Sequence, residues 1–262
     1  MDHASDSAER RASPAGHRHA RAPLESGHPR RVDVKLSAEE INRLEIAAYH
    51  GPIHVVRSRQ QMPAAIRALS RETLLGFDTE TRPVFTKGTT HPPALIQLAS
   101  REAVYVFQLT VLGLPVELTA VLADPRIIKA GVAIQRDVQE LRKLTEFHPR
   151  GFVDLGACTR QCGMQHHGLR GMAALLLGCR ISKSAQLTNW ERHDLPRAAL
   201  TYAATDAWIS RRLYEALKEQ GCLDATPGPA TGLSEEVPRL GFWRQASAAL
   251  AGIVRRARSK SL

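Results

Sequence analysis

The 262-residue sequence contains few aromatic residues and few cysteines, and it has no long apolar run. Aromatic side chains make up 5% of it, and there are four cysteines. Four cysteines in so long a chain, with no apolar signal sequence ahead of them, do not form the disulfide framework of a small secreted domain. No stretch approaches the roughly 20 apolar residues of a membrane span. We therefore expect a cytoplasmic protein with no integral membrane association.

Hydrophobic residues account for 43% of the chain, which is enough for the core of one main domain. The formal net charge of +10 is concentrated at the ends. The first 36 residues carry a net charge of +2, and residues 239–262 carry six basic residues and no acidic one. Such basic tails fit a polyanionic partner such as nucleic acid or an anionic membrane surface, although a merely solvated tail has the same composition.

Composition divides the chain into four predicted segments. Residues 1–36 are rich in Arg, His, Ala, Ser and Pro without periodicity, which predicts a disordered basic tail. Residues 37–222 form the predicted folded domain, and residues 223–238 are a linker rich in Pro and Gly. Residues 239–262 place their apolar residues on one helical face, which predicts a basic amphipathic helix. We expect this helix to contact nucleic acid electrostatically, or else to dock on the domain.

Within the domain, short β-like runs come first and helical patterns follow, which predicts an α/β fold. We expect a mixed sheet of five to six strands flanked by helices. The predicted strands are 53–56, 73–78, 94–99, 103–107 and 127–131. The first predicted helix has Ser58 as its N-cap and runs through Leu69. Two more helices are predicted at 115–122 and from about Ala133 through Leu144. The rest of the domain is predicted to be almost all helix, with helices at 155–164, 168–177 and 197–220.

The sharpest local feature is an apolar strand that ends in two carboxylates, Asp78 and Glu80. Side chains alternate along a strand, so both carboxylates point to the same side and can reach one cation. A buried charge without a partner costs much free energy and requires a counter-ion. The Asp-x-Glu pattern alone is weak, because it occurs about once by chance in a chain of this length.

Two further carboxylates stand at positions where chemistry is possible. A predicted strand ends at Gly131 and a helix follows, which leaves Asp137 in the first turns of that helix. Tyr202 and Asp206 lie four residues apart and share one face of a predicted helix. Ordinary alternatives exist, because Asp137 can complement the positive helix terminus, Tyr202 can be a packing residue and Asp206 can be solvated.

The order and setting of these residues resemble the three exonuclease motifs of the DEDD superfamily. The sequence has Asp-x-Glu on a strand, Gly-x5-Asp at a strand-to-helix junction and Tyr-x3-Asp on a late helix. The stretch 93–99, the pair Lys183 and Ser184, and Trp190 match the family as well. The chain is most similar to the tyrosine subgroup, which includes ribonuclease D and the Werner-type exonuclease domains. The resemblance covers about residues 50–220.

The resemblance implies a ribonuclease H-like fold in which four carboxylates hold two divalent cations, Mg²⁺ or Mn²⁺. It implies that Asp78 bridges both cations. Glu80 and Asp206 would hold the first cation, and Asp137 would hold the second. Physical chemistry agrees, because four carboxylates in one pocket repel one another without cations, and hard oxygen ligands favour Mg²⁺ or Mn²⁺ over zinc.

The resemblance also implies roles for residues beyond the carboxylates. Tyr202 would orient the attacking water, since the histidine subgroup has its histidine where this chain has Thr201. Thr79, Lys183 and Trp190 would bind substrate, because a lysine can meet phosphate and an aromatic ring can stack on a base. The alternatives are a solvated lysine and a tryptophan in the core.

A second candidate metal site consists of Cys158, Cys162, His166 and His167. Their spacing is not that of a zinc ribbon or finger. Cys158 and Cys162 lie one helical turn apart in a segment that the resemblance keeps helical, so helix geometry alone explains their spacing.

Taken together, the sequence predicts a metal-dependent 3′-to-5′ exonuclease that removes mononucleotides from nucleic-acid ends. One alternative is a nucleic-acid-binding module that kept the fold and lost the activity, and another is a membrane-associated scaffold that uses the terminal helix. The sequence does not choose between DNA and RNA, because that choice depends on contacts to the 2′-hydroxyl. We expect single strands to be preferred, since a terminal nucleotide must leave its partner to enter such a site.

Overall fold

The computed structural model describes residues 34–86 and 88–223, and its centre is a mixed sheet. The elements, in chain order, are α1 Ala38–Arg43, β1 Ile46–Ala47, β2 Ile53–Val56, α2 Met62–Leu69, β3 Leu74–Thr81, β4 Pro93–Ala99, β5 Val104–Gln108, α3 Leu109–Leu112, α4 Val116–Ala123, β6 Ile128–Gly131, α5 Gln135–Leu144, β7 Phe152–Asp154, α6 Leu155–Gln161, α7 Leu169–Met172, a π-helix Ala173–Leu177, β8 Arg180–Ile181 and α8 Arg197–Glu219.

The sheet has six strands in the order β2-β5-β4-β3-β6-β7, which confirms the predicted mixed α/β architecture. β3 lies inside the sheet, antiparallel to β4 and parallel to β6. β4 is also antiparallel to β5, whereas the outer pairs, β2 with β5 and β6 with β7, are parallel. A separate parallel pair joins β1 to β8. The strand that carries the first motif is thus supported by hydrogen bonds on both sides.

Helices cover both faces of the six-stranded sheet. On one face, Phe77 of β3 and Leu98 of β4 pack against apolar side chains of α2, α4 and α5. On the other face, Leu95 and Ala99 of β4 pack in a cluster that contains alanines of α8. Because side chains alternate along a strand, each strand supplies apolar residues to both layers.

Helix α8 lies unusually close to β3, and Gly76 permits this approach. A Cβ atom built on Gly76 would overlap the Ala207 carbonyl oxygen and lie 2.8 Å from the Arg211 backbone nitrogen. The buried Arg211 side chain donates a hydrogen bond to the Leu74 carbonyl and lies 3.6 Å from the Glu72 carboxylate. These contacts fix α8 on the strand that carries Asp78.

A fully buried lysine, Lys129, lies in β6. Its Nζ donates hydrogen bonds to the carbonyls of Val121, Asp124 and Ile127 at 3.3, 2.8 and 2.7 Å. Burial lowers the pKa of Lys129 to about 7, although the negative charge of Asp124 acts to raise it. The three carbonyls match the three ammonium donors, so this lysine ties the end of α4 to the sheet.

Several predicted boundaries differ from the structure. The N-cap of α2 is Gln61 rather than Ser58, since the Gln61 side chain accepts hydrogen bonds from the backbone nitrogens of Arg57 and Ser58 and holds a turn before the helix. α5 begins at Gln135 rather than Ala133, because Ala133 has a left-handed φ of 56°. The predicted all-helical remainder is interrupted by the short strand β8, which pairs with β1.

Three predicted segments fall almost entirely outside the described residues: the tail 1–36, the linker 223–238 and the terminal helix 239–262. Their structure and roles stay predictions. Within the described part of the chain, no helix combines the length and the apolar character that a membrane crossing requires.

Candidate active site

The strand β3 passes from the core to the surface of the fold at Asp78. Its first four residues are buried and its last four are half-buried. Gly76, Asp78 and Glu80 alternate with Phe77 and therefore face α8. Two carboxylates are thus held at the edge of the core, on the side that α8 covers.

Asp78, Glu80 and Asp206 form one group of carboxylates. An oxygen of each lies within 4.8 Å of the others. Asp206 reaches this group from α8, where its side chain is buried. Within residues 34–86 and 88–223, no lysine or arginine forms an ion pair with any of the three. One buried and two half-buried carboxylates without a paired side-chain cation match the donor set of a divalent metal site.

Asp137 lies beside this group rather than within it. The Thr79 hydroxyl donates a hydrogen bond to Asp137 Oδ1 at 2.6 Å. The turn before α5 is held by Asp154, whose Oδ1 accepts a hydrogen bond from the Ala133 backbone nitrogen at 3.2 Å and also caps α6. Asp154 therefore helps to place Asp137, a role that the sequence analysis did not predict. The local signal is an aspartate directly before the predicted helix 155–164, since aspartate is a preferred N-cap residue.

Tyr202 lies one helical turn before Asp206, and the two side chains interact electrostatically. Burial, followed by the negative charge of Asp206, raises the pKa of Tyr202 above its ordinary value. The phenol therefore stays protonated at neutral pH and remains a hydrogen-bond donor.

Burial is the largest cause that raises the pKa of each of the four carboxyl groups. The pKa of Asp78 lies well above its ordinary range, and the charges of Asp206 and Asp137 raise it further. The pKa of Glu80 is raised to about 10 by burial and then by the charge of Asp78. Burial raises the pKa of Asp206 to about 7, although the neighbouring Tyr202 hydroxyl acts to lower it. Burial also raises the pKa of Asp137, although the hydrogen bond from the Thr79 hydroxyl stabilises its charge and lowers the pKa.

These raised pKa values predict that the metal-free protein loses stability as the pH rises from 5 to 8. In the unfolded chain the carboxyl groups lose their protons near pH 4, whereas the folded state retains protons up to higher pH. The folded state therefore binds more protons in this window, and the free energy of unfolding falls by about 1.4 kcal/mol per pH unit for each such proton. The measurement is thermal unfolding in a chelator at both pH values.

Asp206→Asn provides the comparison for this prediction, because it removes one carboxyl group and keeps an acceptor for the Tyr202 hydroxyl. We expect the stability of the variant to fall less between pH 5 and pH 7 than that of the wild type. Added Mn²⁺ should restore wild-type stability at pH 8. Equal pH dependence of the two proteins in chelator would contradict the prediction.

The substrate-binding roles of Thr79, Lys183 and Trp190 stay predictions. Thr79 bonds to Asp137, and Lys183 is exposed. Trp190 is fully buried, and its ring lies 6.0 Å from the Tyr202 ring. That position agrees with the packing alternative, since no face of the ring is exposed to a base.

An open pocket of about 420 Å³ lies beside the carboxylates. Tyr202 and Asp206 form part of its wall, and Ser182, Ser184 and Arg197 supply further polar groups. Its volume lies within the range of about 300–1,000 Å³ that is usual for small-molecule sites. The pocket therefore opens onto Asp206, one member of the carboxylate group.

Glu191 joins the two segments that flank the site, a link that sequence reasoning did not predict. Arg82, in the segment after β3, donates to the Glu191 carboxylate at 3.0 Å, and His91 lies 3.8 Å from the same carboxylate. The segment after β3 is thereby connected to the segment before α8. Neither local pattern contains a signal for a pair so distant along the sequence.

The four residues of the second candidate metal site do not converge in the structure. His166 Nε2 accepts a hydrogen bond from the Leu36 backbone nitrogen at 2.8 Å, and His167 Nδ1 lies 3.2 Å from the Thr159 hydroxyl. Throughout the described ranges, the carboxylate group is the one cluster of three or more such side chains that could hold a metal ion.

Comparison with known proteins places the chain in a family. Residues 53–221 match the model of a 3′-5′ exonuclease family. Over 201 residues the chain is 26% identical to a ribonuclease D of Gluconacetobacter diazotrophicus, and this match covers 74% of this chain and 50% of that protein. Over 160 residues it is 30% identical to the bifunctional 3′-5′ exonuclease/ATP-dependent helicase WRN of Mus musculus, and this match covers 58% of this chain and 11% of that protein. The crystal structure of the Trypanosoma brucei RNase D complex with RNA U12 is similar with a TM-score of 0.58 at 18% identity, and the match covers 76% and 79% of the two chains.

The sheet and its helices are those of a ribonuclease H-like exonuclease fold. Because the family match extends over more than half of the sequence, the chain belongs to the 3′-5′ exonuclease family, whose members are hydrolases of phosphodiester bonds. The predicted DEDD resemblance is confirmed at this level, with ribonuclease D and WRN among the relatives. The chain spans half or less of the length of these curated relatives.

Proposed function

We propose that this chain is a metal-dependent 3′-to-5′ exonuclease of the tyrosine subgroup, which releases nucleoside 5′-monophosphates from nucleic-acid 3′ ends. The observation that carries the proposal is the carboxylate group of Asp78, Glu80 and Asp206, with Tyr202 beside Asp206 on the wall of the same pocket. Membership of the 3′-5′ exonuclease family supports it.

The donor set fits divalent cations, because every candidate ligand is a carboxylate oxygen. Asp78, Glu80 and Asp206 would hold the cations together with Asp137, which lies beside them. When bound, two such ions stabilise the negative charge on the attacking and leaving oxygens of an in-line displacement. We propose Mg²⁺ or Mn²⁺.

The residues of the chain then have separate tasks. The protonated Tyr202 hydroxyl, which lies beside Asp206, orients the attacking water. The Thr79 hydroxyl holds Asp137 in place. The open pocket next to Tyr202 admits the terminal nucleotide, and Arg197 on its wall is placed to meet a phosphate.

The proposal is tested with an oligonucleotide labelled at its 5′ end. We expect stepwise shortening from the 3′ end with Mg²⁺ or Mn²⁺, release of 5′-monophosphates, and no shortening in EDTA. Internal cuts, shortening from the 5′ end or equal activity in EDTA would contradict the proposal. Binding of the strand without any shortening would favour a nucleic-acid-binding module instead.

We also propose that the substrate is single-stranded. The two most exposed large apolar side chains of the described residues, Phe85 and Leu187, are 84% and 74% exposed. Phe85 follows the strand that carries Glu80, and Leu187 precedes Glu191, so both belong to the segments that Glu191 joins beside the site. An exposed aromatic ring near such a site, here that of Phe85, suits unpaired bases, which stack on it. A comparison of matched DNA and RNA, single- and double-stranded, identifies the substrate.

Phe85→Ala tests this assignment. Loss of one base-aromatic contact costs about 1–3 kcal/mol, so we expect KM for a single-stranded oligonucleotide to rise by about 5- to 150-fold. Hydrolysis of a nitrophenyl nucleotide, which has no neighbouring base, should stay unchanged. Val116→Ala removes an exposed apolar side chain on α4 and serves as the control. Equal KM values for Phe85→Ala and the wild type would show that Phe85 does not contact substrate.

A further inference from the structure

Gln97 is a fully buried polar residue whose side chain has no hydrogen-bond partner among the described residues. It lies in the middle of β4, and both Nε2 and Oε1 are unpaired. Nearly all buried polar side-chain atoms in native proteins are hydrogen-bonded, because an unpaired group loses its hydration without replacement. An apolar residue would suit a purely structural position here better, and the glutamine therefore needs a functional explanation.

The sheet register places Gln97 directly opposite Asp78. The two residues are paired in the antiparallel ladder of β3 and β4. Directly opposed residues share a face of the sheet, with Cβ atoms about 4.5–5.5 Å apart. Leu95 and Ala99, which flank Gln97 on that face, pack in the cluster that contains Ala203 and other alanines of α8. The carboxamide is thus enclosed beneath α8, next to the carboxylate group.

The unpaired atoms in this region have complementary chemistry. The Gln97 Nε2 is a donor of two hydrogen bonds, and an ionised Asp78 carboxylate is an acceptor only. The Gln97 Oε1 is an acceptor, and the same cluster contains Trp190, whose buried Nε1 donor is also unpaired. Trp190 in turn packs next to Tyr202. One glutamine can therefore satisfy the carboxylate on one side and the indole on the other.

We propose that Gln97 is a positioning residue for the metal site: its Nε2 donates a hydrogen bond to the Asp78 carboxylate when that carboxylate holds a divalent cation. The inference rests on the proposed function, in which Asp78 is a metal ligand. Hydrogen bonds to a ligating carboxylate fix its orientation, and their loss typically weakens metal affinity by about 10- to 100-fold. Gln97 itself does not touch the metal or the substrate.

Gln97→Met tests the proposal in the full chain, because methionine has a similar shape and no polar amide. Mn²⁺ affinity is measured by calorimetry at pH 8, and thermal unfolding is followed with chelator and with Mn²⁺. We expect the metal-free variant to melt at or above the wild-type temperature, since an unpaired polar group is removed. We expect its Mn²⁺ affinity to be lower by about 10- to 100-fold. A purely structural glutamine would not produce these two changes together.

Gln108→Met is the matched control on the neighbouring strand. The Gln108 Nε2 donates to the carbonyls of Arg192 and His193 at 3.3 and 3.0 Å, so its loss should lower the melting temperature and leave Mn²⁺ affinity unchanged. If Gln97→Met melts below the wild type, Gln97→Leu provides the second measurement of affinity. Wild-type Mn²⁺ affinity in the Gln97 variants would overturn the inference and leave the proposed function standing. Absence of Mn²⁺ binding by the wild type would overturn both.

Discussion

Asp78→Asn should reduce hydrolysis of an oligonucleotide on the order of 10³-fold or more, the scale at which loss of a group that stabilises transition-state charge acts. Asp78 is the carboxylate on which the other site carboxyl groups converge. It belongs to the group with Glu80 and Asp206, and the charges of Asp206 and Asp137 both raise its pKa. Asparagine keeps the shape of the side chain but removes the negative charge that a divalent cation requires.

The same variant should fold at least as stably as the wild type in the absence of metal. Removing one of several neighbouring carboxyl groups relieves charge repulsion and the cost of burying a charge. Thermal unfolding in chelator measures this, alongside hydrolysis with Mg²⁺ or Mn²⁺. Asp124→Asn is the matched control, because Asp124 pairs with Arg126 at 2.6 Å outside the site and its loss should not change the rate. Hydrolysis at a wild-type rate by Asp78→Asn would refute the metal site.

Tyr202→Phe should lower kcat by about 10²- to 10⁴-fold, the usual contribution of a positioned group that orients a proton or water. The substitution removes one hydroxyl and keeps the ring, which packs next to Trp190. KM and Mn²⁺ affinity should therefore change little, because Tyr202 is not a proposed ligand. Single-turnover kinetics on a single-stranded oligonucleotide is the appropriate measurement, since it isolates the chemical step.

Tyr214→Phe supplies the control for Tyr202. It is the same change on the same helix, and Tyr214 packs in a separate apolar cluster away from the carboxylates. We expect wild-type kcat for this variant. If Tyr202→Phe also had wild-type kcat in single-turnover conditions, Tyr202 would be a packing residue, and the assignment to the tyrosine subgroup would lose its chemical basis.

Local patterns in the sequence were sufficient for part of the site. Asp78 and Glu80 could be placed on one side of β3 because the period of a strand is two residues, and Tyr202 could be placed beside Asp206 because a helix brings residues four apart together. The meeting of Asp206 with Asp78 was expected only from the family resemblance. It depends on α8 packing against β3 at Gly76, which is a long-range contact without a local signal.

Other features could not be predicted because their cause lies in tertiary structure. Lys129 resembles a misplaced charge within a strand until three carbonyls, from the end of α4 and from the segment between α4 and β6, are seen around its ammonium group. Ala133 belongs to a helical pattern, yet the turn that Asp154 holds gives it a left-handed backbone. In both cases the partners come from other elements, and local propensity is overridden.

The absence of a side chain at Gly76 means that the carboxylate group can be taken apart without changing any carboxylate. An alanine there would collide with the Ala207 carbonyl and force α8 away from β3, and Asp206 would move with its helix. Gly76→Ala would thus leave all four acidic residues of this chain in the sequence and still separate Asp206 from Asp78 and Glu80. In this chain the glycine is as necessary to the assembled carboxylate group as the acids are.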